Sequence, residues 1–263
     1  MAQWDAERAE RWIRSQAQRR EVYGPATERM LDLAELRTGN RVLDVAAGTG
    51  EQTLLAGRRV GASGYVLATD ISTQMLNITA EVARRAGLTN VGTRVMDGAN
   101  LDLDTESFDA VICQLGLMQF SDPPKALAGM RRVVKPGGKV AALVFSAAEK
   151  NPYEGVPRTV AHRRGRRMAR VFVLGEPRLL EETFRNGGFS KVSVHEVVTH
   201  RRFSSSPEAI QKLQDDFHGR AIIELPDTEH EQAWEEVERQ LRRFEGPNGL
   251  EVPGELLLGV GTK

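Results

Sequence analysis

Three carboxylates each follow or close a short apolar run: Asp44 in VLDVAAGTGEQT, Asp70 in GYVLATD and Asp97 in VGTRVMDGAN. Next to the first stand Ala46, Ala47, Gly48 and Gly50, small residues that let a ligand approach the backbone closely. GTGEQT is close to a phosphate-cradling fingerprint, yet Asp44 would oppose a pyrophosphate by a few kcal/mol at an intermediate effective dielectric. A nucleoside that carries positive charge and no phosphate suits both features. S-Adenosylmethionine is such a molecule, through its sulfonium and α-ammonium groups. Asp70 lies about 20 residues beyond the glycines, the spacing at which an acid accepts hydrogen bonds from ribose hydroxyls. Asp97, beside Gly98, stands where a carboxylate could take the adenine amino group. Thr53 falls in the first turn of the following helix, with its hydroxyl able to face the ligand.

Short apolar runs alternate with helical patterns from Arg41 onward, which predicts parallel βαβ units. RVLDVA, GYVLATD, VGTRVM, FDAVICQLGL, KVAALVF and KVSVHEVVT read as strands, and ELLLGVG as a last one. Asp122 and Pro123 are a natural N-cap and first residue for the helix DPPKALAGMRRVV. Lys135-Pro136-Gly137-Gly138 reads as the turn before strand five. Upstream, residues 3–22 and 25–36 read as two helices separated at Gly24-Pro25. The expectation is an α/β, doubly wound Rossmann-like sheet of about seven strands. Residues 1–37 would form an N-terminal helical cap, 38–146 the cofactor-binding core, and 147–263 the rest of the sheet, with lid or substrate-wall insertions at 147–175 and 203–250.

The chain has 263 residues, with 36 Lys+Arg against 36 Asp+Glu, so no overall charge favours a polyanionic partner and nucleic acid is not expected. Cys113, the single cysteine, sits inside an apolar strand pattern and rules out a disulfide framework; a reducing, cytoplasmic setting fits. The charged N-terminus has no apolar signal core, and no window approaches a membrane span. The five histidines lack metal-ligand spacing, so no metal is expected. Six arginines between Arg158 and Arg170 read as a solvated helix face, with an anionic substrate group or RNA as the alternative. Met75, Met118 and Met130 read as core or cofactor wall. Trp4, Trp12 and Tyr23 either anchor the N-terminal helices or line a pocket, and Trp234 and Phe244 read as anchors for the last insertion.

VLDVAAGTG, ATDIS, MDGANL, FDAVICQLGL and RVVKPGG, in this order, resemble the class I S-adenosylmethionine-dependent methyltransferases, particularly the group around the ubiquinone/menaquinone C-methyltransferases. The resemblance covers residues 38–145, and ELLLGVG resembles the family's antiparallel last strand. It implies Asp44, Gly48 and Gly50 near the methionine part, Thr53 near that part or the ribose, and Ala46 among the cofactor-binding residues. It further implies Asp70 on the ribose, Asp97 and Gly98 at the adenine, and Ile71 and Gln114 beside the cofactor, S-adenosylhomocysteine being the product. Ala46 replaces a common glycine. Gln119 and Phe120 stand where many relatives carry a histidine-containing turn.

The expected reaction is methyl transfer to a small, lipophilic or aromatic molecule by in-line displacement. Alignment alone can supply up to about 7–11 kcal/mol of such a barrier. Tyr23, Tyr153 and His162 are the candidate bases. A nicotinamide-dependent oxidoreductase and a non-catalytic cofactor-binding domain are the alternatives; Asp44, and Thr53 in place of a third glycine, argue against the first.

Overall fold

The computed structural model describes residues 6–167 and 170–263; Trp4 and the start of the expected first helix lie outside them. The strands are β1 (Arg41–Val45), β2 (Tyr65–Asp70), β3 (Val91–Val95), β4 (Phe108–Gln114), β5 (Val134–Phe145), β6 (Lys191–Phe203), β7 (Glu245–Gly246) and β8 (Gly249–Thr262). They form one eight-stranded sheet in the order β3-β2-β1-β4-β5-β8-β6, with the two-residue β7 paired to β8. β1 to β5 pair in parallel, and β8 runs antiparallel to both β5 and β6, as expected for the last strand. β1, β4 and the second half of β5 are almost wholly buried, which is why they read as continuous apolar runs rather than alternating ones.

The helices are α1 (Ala6–Arg14), α2 (Gln16–Leu33), α3 (Glu51–Val60), α4 (Thr73–Arg85), α5 (Pro123–Val133), α6 (Pro152–Arg163), α7 (Pro177–Asn186), α8 (Ser206–Asp215), α9 (Arg220–Ile223) and α10 (Asp227–Leu241). Asp122 caps α5, its side chain accepting from the Lys125 N–H at 3.0 Å, with Pro123 in the first turn.

Two local expectations are corrected. The break between the first two helices falls at Ser15, and α2 runs through Gly24-Pro25. A proline inside a helix removes one backbone donor; here buried Tyr23, Ala26, Thr27 and Met30 hold the turns around Pro25 against the protein interior. Lys135-Pro136-Gly137-Gly138 lies within β5 as an irregularity, not before it. The pairing slips from Phe108 with Val134 to Ala110 with Lys139. Gly137, at φ +77°, donates its N–H to the Lys263 carbonyl at 2.9 Å.

The two inserted stretches pack on each other. α6 lies against α9 and α10. Tyr153, Val156, Val160, Ile210, Leu213, Ile222, Val237 and Leu241 make a second apolar core, completed by Phe203, Leu250 and Val252 from the far ends of β6 and β8. Trp234 and Phe244 pack against that core, as expected of anchors. The arginine run splits by position. Arg163 and Arg164 pair with Glu236 and Arg166 with Glu224, while Arg158 is buried. So the run joins the end of α6 to Glu236 on the acidic helix α10 and to Glu224 just after α9, and Arg158 departs from the solvated face.

A buried polar cluster joins this helical unit to the sheet. Arg201 on β6 donates to Glu154 on α6 from Nε at 3.0 Å and from a terminal nitrogen at 2.7 Å, and also donates to the Tyr23 hydroxyl at 2.6 Å. Tyr23 in turn donates to Glu154 at 3.0 Å. Removing one partner of a buried pair leaves the other charge desolvated and uncompensated. Arg201→Met is therefore expected to lower stability by about 3–5 kcal/mol in urea denaturation. Adding Glu154→Gln should recover most of that loss; a double variant no more stable than Arg201→Met would show that the charge is not the cause.

Candidate active site

The carboxyl ends of all five parallel strands open onto one cavity of 450 Å³. Ala46 and Gly48 follow β1, Asp70 to Ser72 close β2, Met96 to Gly98 follow β3, Gln114 to Gly116 close β4, and Phe145 ends β5. The cavity straddles β1 and β4, the switch point of the strand order, where open α/β sheets bind ligands. Trp12 from α1, Val171, Phe217 and His218 form the rest of its wall with Met118, Gln119 and Phe120. Among the described residues, its charged walls are Asp70 and Asp97, and no lysine or arginine borders it.

The loop above β1 is strongly turned. Ala46 (φ +58°), Gly48 (φ +58°) and Gly50 (φ +85°) all occupy the left-handed region. Ala46 thus carries the backbone cost that glycine would avoid, roughly 1–2 kcal/mol. A Cβ on Gly50 would lie 2.8 Å from the Thr79 side chain, so α4 packs flush against the loop. Thr79 Oγ1 donates to the Gly48 carbonyl at 2.9 Å.

Asp44, Gly50 and Thr53 do not line the cavity. Asp44 is fully buried beneath the loop, where it accepts hydrogen bonds from Thr53 Oγ1 at 2.5 Å and Gln52 Nε2 at 3.1 Å. Burial pushes its pKa up to about 7, against the hydrogen bonds from Thr53 and Gln52. The Thr53 hydroxyl is accordingly turned down to Asp44 rather than out to a ligand. These three residues shape the loop, and the acidity expected of Asp44 is supplied to the cavity by Asp70 and Asp97.

Asp70 accepts from the Gly48 N–H and the Ser72 N–H, each at 2.9 Å. Burial raises its pKa, and the backbone donors counter that shift. Asp97 accepts from the Ala99 N–H at 2.9 Å and from Asn100 Nδ2 at 3.0 Å. Gly98 has no room for a side chain: a Cβ would fall 2.7 Å from both Phe120 and Val45. Ile71, 50% exposed, presents apolar surface beside Asp70. Gln114 accepts from Thr27 Oγ1 at 2.7 Å, which fixes its amide against α2.

Behind the same loop lies a second cavity of 340 Å³ that shares Trp12, Ala46, Gly48, Gln114 and Leu115 with the first. Arg19, Arg20, Arg58 and Arg85 give it the opposite character. Arg19 stacks on Trp12 with its guanidinium carbon 3.8 Å from the ring centroid, and pairs with Glu51 at 2.8 Å. Trp12 is therefore a cavity residue, whereas Tyr23 is an anchor in the core.

None of the three expected bases borders the main cavity. Tyr23 is committed to Glu154 and Arg201, and Tyr153 donates to Asp216 at 2.9 Å; burial pushes both phenols well above their ordinary range. His162 is exposed on α6, with Nδ1 2.9 Å from the Arg166 carbonyl. The cavity histidine is His218, in DDFHG, a residue that spacing did not single out. Met75 and Met118 line the cavity, while Met130 lies in the core.

A sheet of this order, with an acidic cavity over its switch point, has the Rossmann-like architecture of a nucleoside-binding α/β domain. The solved structure of a protein from Bacillus halodurans superposes with a TM-score of 0.66 over 91% of this chain and 99% of its own, at 20% identity, so the two share the fold. A phosphoethanolamine methyltransferase from Haemonchus contortus, solved with S-adenosylhomocysteine, matches 90% of this chain and 52% of its own with a TM-score of 0.57 and 19% identity. Residues 26–163 match the ubiE/COQ5 methyltransferase family, and the chain belongs to that family. Among curated relatives, the ubiquinone/menaquinone biosynthesis C-methyltransferase of Idiomarina loihiensis is 41% identical over 117 residues, which are 44% of this chain and 47% of the relative. The match thus spans about half the length of that relative.

Asp44 also makes stability depend on pH. Its pKa is raised from 3.8 to about 7 in the folded protein, so the folded state holds the proton more tightly. Its contribution is fully present below the unfolded value and is lost as pH rises through the folded one, a few kcal/mol at most. Urea denaturation of wild type and Asp44→Asn should therefore show the wild type losing ground to the variant between about pH 4 and pH 7 and levelling off above that. A pH-independent difference would mean that Asp44 titrates as an ordinary carboxylate.

Proposed function

We propose that the chain binds S-adenosylmethionine in the 450 Å³ cavity and transfers its methyl group to a small, largely apolar molecule held beneath the helical unit. The carrying observation is the charge of the walls: Asp70 and Asp97, with no lysine or arginine among the described residues. That sign favours a cationic nucleoside and disfavours a pyrophosphate. The volume lies within the range of about 300–1,000 Å³ typical of small-molecule sites. Residues 26–163, matched to the family, include the loops after β1, β2, β3 and β4 that supply these walls.

In this reading Asp70 accepts from the ribose hydroxyls, Asp97 from the adenine amino group, and Ile71 and Gly98 border the adenosine. Ala46, Gly48 and Gln114 meet the amino-acid end, whose carboxylate turns toward the arginine-lined second cavity. Asp44, Gly50 and Thr53 support from below. Once bound, the cofactor supplies an electrophilic methyl group on a positively charged sulfur, and the sulfur keeps the electron pair of the broken bond. The chain's own part is to align the acceptor and exclude water, through Met118, Phe120, Phe145, Val171 and Phe217. The helical unit over α6, α8, α9 and α10 acts as the lid, in a chain that works in the cytoplasm without nucleic acid. Among the described residues no helix is long and apolar enough to cross a membrane.

Calorimetry should show S-adenosylmethionine and S-adenosylhomocysteine binding, with no heat from NADH. Asp70→Ala should weaken S-adenosylhomocysteine binding by at least about 1.5 kcal/mol, the worth of a charge-assisted hydrogen bond. A folded Asp70→Ala variant with unchanged affinity would place the ribose elsewhere, and NADH binding alone would reject the methyltransferase reading.

A further inference from the structure

His218 is the one histidine among the cavity walls, and its two ring nitrogens have different surroundings. Both terminal nitrogens of Arg158 lie 3.4 Å from Nδ1. A guanidinium can only donate, so Nδ1 must be the unprotonated nitrogen, and the neutral ring carries its hydrogen on Nε2. No described residue hydrogen-bonds Nε2, and Nε2 is not a sealed polar atom either. The backbone fixes the ring's place. The Asp216 carboxylate accepts from the His218 N–H at 2.6 Å and from the Gly219 N–H at 3.2 Å, and also takes the Tyr153 hydroxyl. Phe145, Tyr153 and Phe217 stand edge-on to the imidazole at 5.7–6.1 Å between centroids.

We propose that His218 positions the methyl acceptor, its Nε2–H donating a hydrogen bond to an oxygen atom of that molecule, and that it does not serve as the general base. The inference rests on the methyltransferase reading and names what that reading leaves open: an acceptor with an apolar body and one hydrogen-bond-accepting oxygen, carbonyl or hydroxyl. The apolar body fits the Met118, Phe145, Val171 and Phe217 walls, which line the cavity together with His218. Charge around the ring supports the neutral donor. Arg158 from α6, Arg201 from β6 and Arg19 from α2 all act on it, and burial together with these cations lowers its pKa well below the ordinary value, with Asp216 the neighbouring acid. A base at Nε2 would need the other tautomer, which points a ring N–H at a guanidinium.

A pair of matched probes tests this without the natural substrate. 1-Naphthol and naphthalene are titrated into the protein saturated with S-adenosylhomocysteine, using wild type, His218→Leu and His218→Gln. The ratio of the two affinities should favour the naphthol about 3- to 10-fold more in wild type than in His218→Leu, the range of one hydrogen bond. His218→Gln, which retains an N–H donor, should keep most of that preference. The preference should also stay level between about pH 6 and pH 8, where an ordinary histidine titrates. An equal ratio in wild type and His218→Leu, or an inflection in that pH range, overturns the proposal. If the wild type fails to bind S-adenosylhomocysteine, the methyltransferase reading falls first. If it binds that ligand yet shows no oxygen preference, His218 alone is misassigned.

Discussion

The turn from Ala46 to Gly50 is the constraint from which the site follows. Three residues in the left-handed region reverse the chain within five positions, and such a turn persists only where its surroundings hold it. Here it is held from three sides. Asp44 gathers Gln52 and Thr53 beneath it, Thr79 takes the Gly48 carbonyl from the α4 side, and Asp70 takes the Gly48 N–H across the cavity mouth. The loop therefore stays thin enough to serve as wall for two cavities at once. A side chain at Gly50 would push α4 away, and one at Gly48 would press on Trp12 at 3.3 Å.

Charge is partitioned between those cavities. Arginines border the second, and acids border the first, with the same stretch of backbone between them. A ligand with a cationic centre and an anionic end can satisfy both only by lying across the loop. The helical unit adds no cation to the first cavity, because Arg158 and Arg201 point their charge into the protein, toward His218, Glu154 and Tyr23. Its stability and the polarity of the roof are thus parts of one arrangement.

The fold was legible because burial on both sheet faces forces continuous apolar strands, and because caps such as Asp122 act locally. Where the chain departs from local rules, tertiary packing decided. α2 passes through Pro25 since the residues around it are buried, and the Lys135–Gly138 stretch stays in the sheet through its bond to Lys263. At the site, the sign of the charge was readable from three acids at strand ends, but depth was not. Asp44 lies one residue before the end of β1, with its side chain tied beneath the loop, while Asp70 ends β2 and Asp97 follows β3 and both line the mouth. His218 had no legible signal. Its place depends on α6 meeting the segment between α8 and α9, some sixty residues further along the chain, a contact that no motif encodes.

The roof also explains why the expected tyrosine bases were poor choices. A hydroxyl or carboxylate buried among apolar side chains must find a partner there, since an unpaired buried polar group is costly. Tyr23, Tyr153, Glu154, Asp216, Arg158 and Arg201 meet this by bonding to one another or to His218. What remains open is a single imidazole edge whose protonation is set by the guanidinium behind it. A fixed donor among apolar walls orients a bound molecule about that point, and for the proposed methyl transfer orientation is the larger part of what a protein must provide.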